Sequence, residues 1–585
     1  MLPFARDRSA PGQLAARPGV LPNLHDLAVF ALLLGLGALL LHGASDMRAP
    51  LPPAGTAAVS LDLWQLPEYG LRTTLRMFAA MAASLVFTFV VATLAAKSRR
   101  AERVIVPALD ILQSVPVLGF LTFTVTFFLG LFPGRQIGAE LASIFAIFTS
   151  QAWNMAFSFY QSLRNVPRDL DEVSRGFGLS AWQRFWRLEA PYATPSLIWN
   201  MMMSMSGGWF FVVASEAISV GDHTLELPGI GSYLALAIAQ RNFAAVGWAV
   251  MAMAVLIALY DQLLFRPIVA WSDKFRAELT ASQDKPQSWL YDLLRRTRLA
   301  KRLVAPLAWV WQRAMLVRWT PRQQPQLQAA PQAPGRSGVW GDRLWSAVLA
   351  LAGAAAAWFA YDYGRRHLGL HDLAEAFGGG LATLLRVVVL IALASVVWVP
   401  IGVWIGLRPK VAQRVQPLAQ FLAAFPANVL FPFAVLAIVS TGADPNIWLS
   451  PLMILGTQWY ILFNVIAGAS AFPTDLREAA TIYHLRSWTW WRRVILPGIF
   501  PYYITGALTA SGGSWNASIV AELASWGHTQ VQAYGLGAYI ARATAAGDGP
   551  RVLLGVAVMS LFVTLFNRAV WRRLYVFAER RLRFD

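Results

Sequence analysis

This chain is written twice. At an offset of 310 residues, Thr73 and Arg76 match Thr383 and Arg386, and Pro107 and Pro116 match Pro417 and Pro426. Past a four-residue length difference the offset becomes 306. It then joins Trp153 to Trp459, Pro167 to Pro473, Glu172 to Glu478, Trp182 to Trp488, Pro191 to Pro497, Trp209 to Trp515, Glu216 to Glu522, Gly231 to Gly537 and Tyr233 to Tyr539. Chance does not hold one register over so long a stretch, so the chain must fold as two similar units.

The repeated unit is a series of apolar runs. A membrane-crossing helix needs about 20 mostly apolar residues. Runs of this kind cover 27–44, 70–96, 111–132, 138–162, 192–218 and 244–268, then 342–362, 379–406, 418–441, 447–470, 498–522 and 550–570. A lone strand in lipid leaves its backbone polar groups unpaired, so every span is expected to be a helix. The expected fold is all-α and integral to the membrane: two six-helix repeats, about 12 spans in all. An even number of spans per repeat gives both copies one orientation. A pseudo-twofold axis along the membrane normal then relates them, with a central pathway between.

Composition agrees. Apolar residues make up 57 % and charged residues 14 % of the chain, against a usual charged share of about 25 %, and the mean hydropathy is +0.48. Disorder and disulfide-stapled secreted folds are excluded. With no Cys there is no thiol catalyst, disulfide or Cys-ligated metal. Seven scattered His without an H-E-x-x-H motif argue against a zinc enzyme. The formal charge of +18 suggests nucleic acid in a soluble protein. Here 39 of the 49 Lys/Arg fall in 1–26, 97–103, 163–190, 266–343, 407–415, 473–494 and 568–585. These segments are therefore assigned to the cytoplasm, and no nucleic-acid partner is needed.

The expected organisation is a cytoplasmic tail (1–26), a first repeat (27–271), a basic linker (272–338), a second repeat (339–570) and a basic tail (571–585). The run from Leu27 to Leu41 lacks a following A-x-A site and reads as a retained span. The linker ends in a Gln/Pro/Ala-rich stretch, "TPRQQPQLQAAPQAPGRSG", suited to an extended tether. Before it, "SWLYDLLRRTRLAKRLVAPLAWVWQRAMLVRW" mixes Trp/Leu with Arg/Lys at helical spacing. This reads as a helix lying on an anionic inner leaflet, or alternatively as a basic tether without fixed structure.

Between the fourth and fifth spans of each half lies a polar segment: Asn165–Pro195 and Ala471–Pro501. Each opens on a proline, Pro167 or Pro473, followed by Asp-x-x-Glu: Asp169 to Glu172, and Asp475 to Glu478. The spacing predicts a short helix, with Asp at its free N–H groups and Glu reaching back in a capping box. Gly178 is expected to end the first such helix.

This segment resembles the coupling loop of binding-protein-dependent ABC importer permeases. Glu478-Ala479-Ala480 is the family's triplet, Glu172-Val173-Ser174 is its variant in the first half, and Gly178 sits at the glycine position. His484 departs from it. Farther on, "ASEAISV…LPGIGSYLALA" and "VAELASW…YGLGAYIARA" resemble the nitrate/taurine/sulfonate branch. The resemblance implies a type I importer fold and a bacterial inner-membrane location with both termini cytoplasmic. It also implies two copies of an ATP-binding subunit at loops 165–191 and 471–497, and an extracytoplasmic substrate-binding protein. The cargo implied is a small organic or inorganic anion. The sequence holds no G-x-x-x-x-G-K-[ST] loop, so ATP and Mg are expected on the partner and no cofactor in this chain. An ion-gradient-driven secondary transporter, or a membrane scaffold or sensor, would share the repeat without needing the coupling loop.

Four ionisable residues recur near the outer ends of spans: Arg76 with Arg386, and Glu216 with Glu522. They are expected to line the outer mouth and to pair across helices; for the arginines the alternative is snorkelling to the interface. Trp209 and Trp515 are expected to face each other as a constriction. Asn154, Asn464 and the matched stretches Ser206–Gly208 and Gly512–Ser514 read as close helix packing. The broken segments after Glu216 and Glu522 read as re-entrant or surface helices.

Overall fold

The structure, a computed structural model, describes residue 35 and residues 59–113, 121–220, 223–275, 288–317, 336–470, 472, 474–485, 487–527 and 529–581. The expected N-terminal tail and all but one residue of the expected first span fall outside them, as do Pro116, Pro473 and most of the Gln/Pro/Ala run.

In the first half, α1 (Leu66–Lys97) is followed by α2 (Arg99–Leu112), α3 (Leu121–Leu131) and α4 (Gln136–Arg164). Two short helices, α5 (Arg168–Gly176) and α6 (Ala181–Arg184), lead to α7 (Ala190–Glu216). A hairpin of β1 (Ala217–Val220) and β2 (His223–Glu226) precedes α8 (Ile230–Ala239), α9 (Phe243–Tyr260) and α10 (Arg266–Ser272). The linker contributes α11 (Trp289–Arg296) and α12 (Arg298–Leu316).

The second half opens with α13 (Arg336–His367), then repeats the pattern as α14 (Leu370–Gly406), α15 (Pro409–Ala424), α16 (Phe431–Thr441), α17 (Pro445–Trp448), α18 (Ser450–Leu455) and α19 (Gln458–Ser470). It closes with α20 (Thr474–Ile482), α21 (Ser487–Trp490), α22 (Leu496–Ala521), the β3 (Leu523–Trp526) and β4 (Thr529–Gln532) hairpin, α23 (Leu536–Ala545), α24 (Gly549–Phe566) and α25 (Arg572–Arg581).

The duplication extends to local irregularities. A π-helical turn stands at Phe185–Glu189 and again at Trp491–Ile495; another stands at Asp261–Phe265 and at Asn567–Trp571. Asn242 caps α9 by accepting from the Ala245 N–H, and Asp548 caps α24 by accepting from the Arg551 N–H. Each cap satisfies a helix-start donor that lipid cannot.

Among the described residues, six helices are long and apolar enough to cross a membrane, and eight if two bent pairs are counted as spans. All but one residue of the run 27–44 and part of 111–132 lie outside the described residues, and others are broken or polar for physical reasons. Pro426 cannot continue a helix, and the expected span 418–441 bends there by 76°. The span 447–470 is bent by 45° between Leu455 and Gln458. In α4 buried Glu140, Ser143 and Gln151 lower its hydropathy, because these side chains face other helices rather than lipid. The segments after Glu216 and Glu522 also differ from expectation: each forms a β-hairpin before its short helix.

The core of each half is a packed set of long helices. Trp209, Met77, Ile147, Phe159 and Met205 are fully buried in the first, and Trp515, Ile461, Ile504 and Ala510 in the second. The halves touch at the hairpin end, where Phe243 lies 4.6 Å from Trp526 and the Gly527 N–H donates to the Ile238 carbonyl at 3.1 Å. They touch again where the Ser206 hydroxyl donates to the Ala423 carbonyl.

Candidate functional site

Two constructions recur in both halves at opposite ends of the spans. One is the pair of short helices between α4 and α7, matched by those between α19 and α22. The other is a buried polar lock beneath each hairpin.

In the first short-helix loop, Pro167 is the N-cap residue, and its carbonyl accepts from the Asp171 N–H at 3.2 Å. The expected capping box from Asp169 and Glu172 does not form; both side chains are exposed. Their negative charge still lies in the first turn or just after it, where the helix dipole favours it. The capping box sits one helix later: Ser180 accepts from the Gln183 N–H at 3.3 Å, and Gln183 Oε1 accepts from the Ser180 N–H at 3.1 Å. Asp171, which pattern reading passed over, ties the two short helices together through Arg175 at 2.7 Å and Arg184 at 3.4 Å. Glu189 anchors the exit to α1 through Lys97 at 2.5 Å.

Gly178 ends α5 with φ +65°, the left-handed region that favours glycine. The Gly178 N–H donates to the Arg175 carbonyl and the Leu179 N–H to the Ser174 carbonyl. His484 takes the same conformation, φ +52°, at the end of α20, with Leu485 donating to the Ala480 carbonyl at 2.9 Å. The departure from glycine therefore leaves the turn intact and stores strain of roughly 1–2 kcal/mol. In α20, Glu478 is exposed, Ala480 is buried and Ala479 is partly buried; Asp475 lies in its first turn. The tips share a feature absent from the motif: Phe177 and Tyr483, 306 residues apart, are 79 % and 78 % exposed.

In the first lock, the Arg76 guanidinium donates to Glu140 at 2.5 and 2.6 Å and to Glu216 at 2.7 Å. Thr73 donates to Glu216 at 2.7 Å and accepts from the Ile230 N–H at 3.1 Å; the Gly231 N–H donates to Glu216 at 2.7 Å. The carboxylate therefore fills the N-terminus of α8, where backbone donors and the dipole favour an anion. The second lock repeats this. Arg386 reaches Glu522 at 2.9 Å, Thr383 donates to it at 2.8 Å, and the Ala538 N–H donates at 3.2 Å. Where the first half has Glu140, the second has Asn446, which accepts from Arg386 at 3.2 Å and from the Tyr534 N–H at 2.8 Å.

These residues do not line an open mouth. Arg76, Glu216 and Glu522 are buried, because each carboxylate collects donors from one long helix and from the start of a short one. The tryptophans also differ from expectation. Trp209 packs edge-on against Tyr260 at 5.7 Å, and Trp515 stacks on Phe562 at 6.4 Å. Each is held within its own half, so the rings do not face each other as a constriction. Trp209 instead borders a cavity of about 180 Å³ between the halves, whose wall also includes Met202, Gln262, Arg266, Gln420 and Phe421. Asn154 donates to Ser204 at 3.1 Å and Asn464 to the Tyr460 carbonyl at 2.8 Å, both within helix packing.

Comparison with known proteins gives this geometry its family. Residues 84–266 and 398–583 each match the binding-protein-dependent transport system inner membrane component. The chain is 28 % identical over 189 residues to a nitrate import permease protein of Leptolyngbya laminosa, covering 32 % of this chain and 64 % of that one. It is 29 % identical over 144 residues to a bicarbonate transport system permease protein of Synechococcus elongatus, covering 24 % and 50 %. A probable ABC transporter permease protein of Brucella abortus is 26 % identical over 212 residues, covering 35 % and 80 %. The chain thus spans about half to two thirds of the length of the nitrate and bicarbonate relatives. With both matched segments covering most of its length, this multi-pass integral membrane protein belongs to the family of binding-protein-dependent transport system inner membrane components, two copies of which it carries in tandem.

Proposed function

We propose that the chain is the permease subunit of an ATP-driven importer, its two halves forming the pathway for a small organic or inorganic anion by alternating access. The observation that carries this reading is the pair of matched short-helix loops with bare aromatic tips, Phe177 and Tyr483. Two copies of a separate ATP-binding subunit, holding ATP and Mg, grip these loops at the cytoplasmic face. Asp169, Glu172, Asp475 and Glu478 present the charged side of the grip. Closure of the ATPase pair draws the loops together and rocks the halves as bodies. An extracytoplasmic binding protein delivers cargo at the hairpin end, where the locks of Arg76/Glu216 and Arg386/Glu522 hold the hairpins against the spans as the outer gate. The permease supplies shape and gating, and ATP hydrolysis belongs to its partner. The protein sits in a bacterial inner membrane with both termini cytoplasmic.

The test is co-expression with a candidate ATP-binding subunit from the same organism, using F177D with Y483D. Loss of co-purification and of ATP-driven uptake, with thermal stability unchanged, supports the reading. Full retention of both, or uptake in liposomes driven by an ion gradient without ATP, overturns it.

A further inference from the structure

The linker between the halves ends against the first coupling loop. Trp182 Nε1 donates to the Ala314 carbonyl at 2.9 Å, and Gln183 Nε2 donates to the Leu316 carbonyl at 2.8 Å. Trp186 meets Trp311 edge-on at 4.9 Å. The last turn of α12 leaves carbonyls short of intrahelical partners; the loop supplies a donor to the Leu316 carbonyl and a second donor to that of Ala314, which also accepts from the Val317 N–H at 3.4 Å. In the second half Trp488, the counterpart of Trp182, is 69 % exposed. Thr489 and Arg492 stand where the first loop has Gln183 and Trp186.

The rest of α12 is unlike a soluble surface helix. Trp309, Val310, Leu316 and Val317 are exposed, and Arg313 lies over the Trp309 ring at 4.8 Å. Between Trp289 and Arg318 the sequence holds seven Lys/Arg and a single acidic residue, Asp292. The segment is also fixed against the end of a long apolar helix. Leu290 is buried, while Tyr291, Leu294 and Arg295 form a cleft with Pro267, Ile268 and Trp271. Exposed indole rings, aliphatic side chains and a strong excess of cations, held beside the end of a span, match an anionic lipid headgroup layer. Indoles favour that depth because one end is apolar and the other polar.

We propose that α11 and α12 form a strap bound to anionic phospholipid, and that this strap holds the first coupling loop, but not the second, against the membrane surface. Lipid capture needs no ATPase and no cargo, so the inference stands apart from the import reading. Its consequence is that the charge of the bilayer sets the rigidity of one loop only.

The chain has no Cys, so V310C carries a single label without background. The full chain, bearing an environment-sensitive fluorophore at that position, is placed in nanodiscs of phosphatidylcholine or of phosphatidylcholine with phosphatidylglycerol. Doxyl lipids serve as quenchers. The expected result is a blue shift and lipid-borne quenching in the anionic discs. R295Q with R296Q should lower the ratio of docked to undocked strap by on the order of tenfold, and high salt should act in the same direction. Hydrogen exchange on the unlabelled chain gives the second readout: 181–189 is slower in anionic than in neutral discs, and 487–495 is unchanged. Equal quenching in both lipids, equal exchange of 181–189 in both, or quenching only when an ATP-binding subunit carries the quencher, overturns the proposal.

Discussion

Replacing Glu140 by Asn gives the first lock the composition of the second, and the structure sets what this should do. Arg76 faces two carboxylates, Glu140 and Glu216, with all three groups buried. Arg386 faces one carboxylate and the Asn446 side chain. The substitution removes a charge-assisted pair of contacts at 2.5 and 2.6 Å, worth about 1.5–3 kcal/mol for each such bond. It also removes a buried anion beyond the one that balances the guanidinium, and burying an ion costs several kcal/mol. The terms oppose each other, and the net loss should stay within about 2 kcal/mol. Glu216→Ala is different. It leaves Arg76, the Thr73 hydroxyl and the Gly231 N–H without their shared acceptor, and removing one partner of a buried pair costs about 3–5 kcal/mol. At roughly 2–4 °C per kcal/mol for a unit of this size, the melting temperature should fall by about 6–20 °C for Glu216→Ala and by less than about 8 °C for Glu140→Asn. The chain's 25 Trp make intrinsic fluorescence in detergent a direct assay. Equal losses for the two variants would refute the reasoning, since they would make Glu140 the anchor rather than the carboxylate at the start of α8.

The same geometry fixes three further outcomes. A Cβ on Gly229 would sit 2.4 Å from the Glu216 carboxylate, and one on Gly535 would sit 2.2 Å from that of Glu522; Gly229→Ala and Gly535→Ala should each destabilise by about 1–3 kcal/mol, read as a lower melting temperature. His484→Gly relieves the left-handed strain at the end of α20 and should stabilise by up to about 1 kcal/mol, while Gly178→Ala should destabilise by about 1–2 kcal/mol, both measured by hydrogen exchange across the loops. Ser180→Ala breaks the capping box of the second short helix, at about 1 kcal/mol, and should speed exchange in 181–189 without changing 487–495.

What the sequence made legible was everything carried by period and offset. The repeat, the long spans, the placement of the two loops and the coincidence of Arg76 with Glu216 follow from spacing alone. The cap of the second short helix was also within reach, since Ser180-Ala-Trp-Gln183 has the S-x-x-Q form. Glu140 was hidden by the repeat itself: a search for identical pairs passes over a position where one half has Glu and the other Asn446. The hairpins were masked by the all-helical logic of lipid, which does not bind segments beyond the spans. The places of Trp209 and Trp515 depend on contacts with Tyr260 and Phe562, 51 and 47 residues away in the chain, and no local pattern encodes them. The breaks at Pro426 and after Leu455 divide runs whose hydropathy is continuous.

The halves share a scaffold but not a load. Three departures from the repeat fall at the locks and loops: Glu140 against Asn446, Gly178 against His484, and the contact of α12 with the first loop. A homodimer of identical permeases cannot separate these positions, because any change appears twice. Fusion of the halves removes that constraint, and the linker that performs the fusion is also the source of the largest asymmetry. The cavity follows the same rule. Trp209, Gln262 and the Asp261–Arg266 ion pair, 2.9 Å apart, come from the first half, while Gln420, Phe421 and Phe463 opposite them carry no charge, so its two walls are chemically unlike.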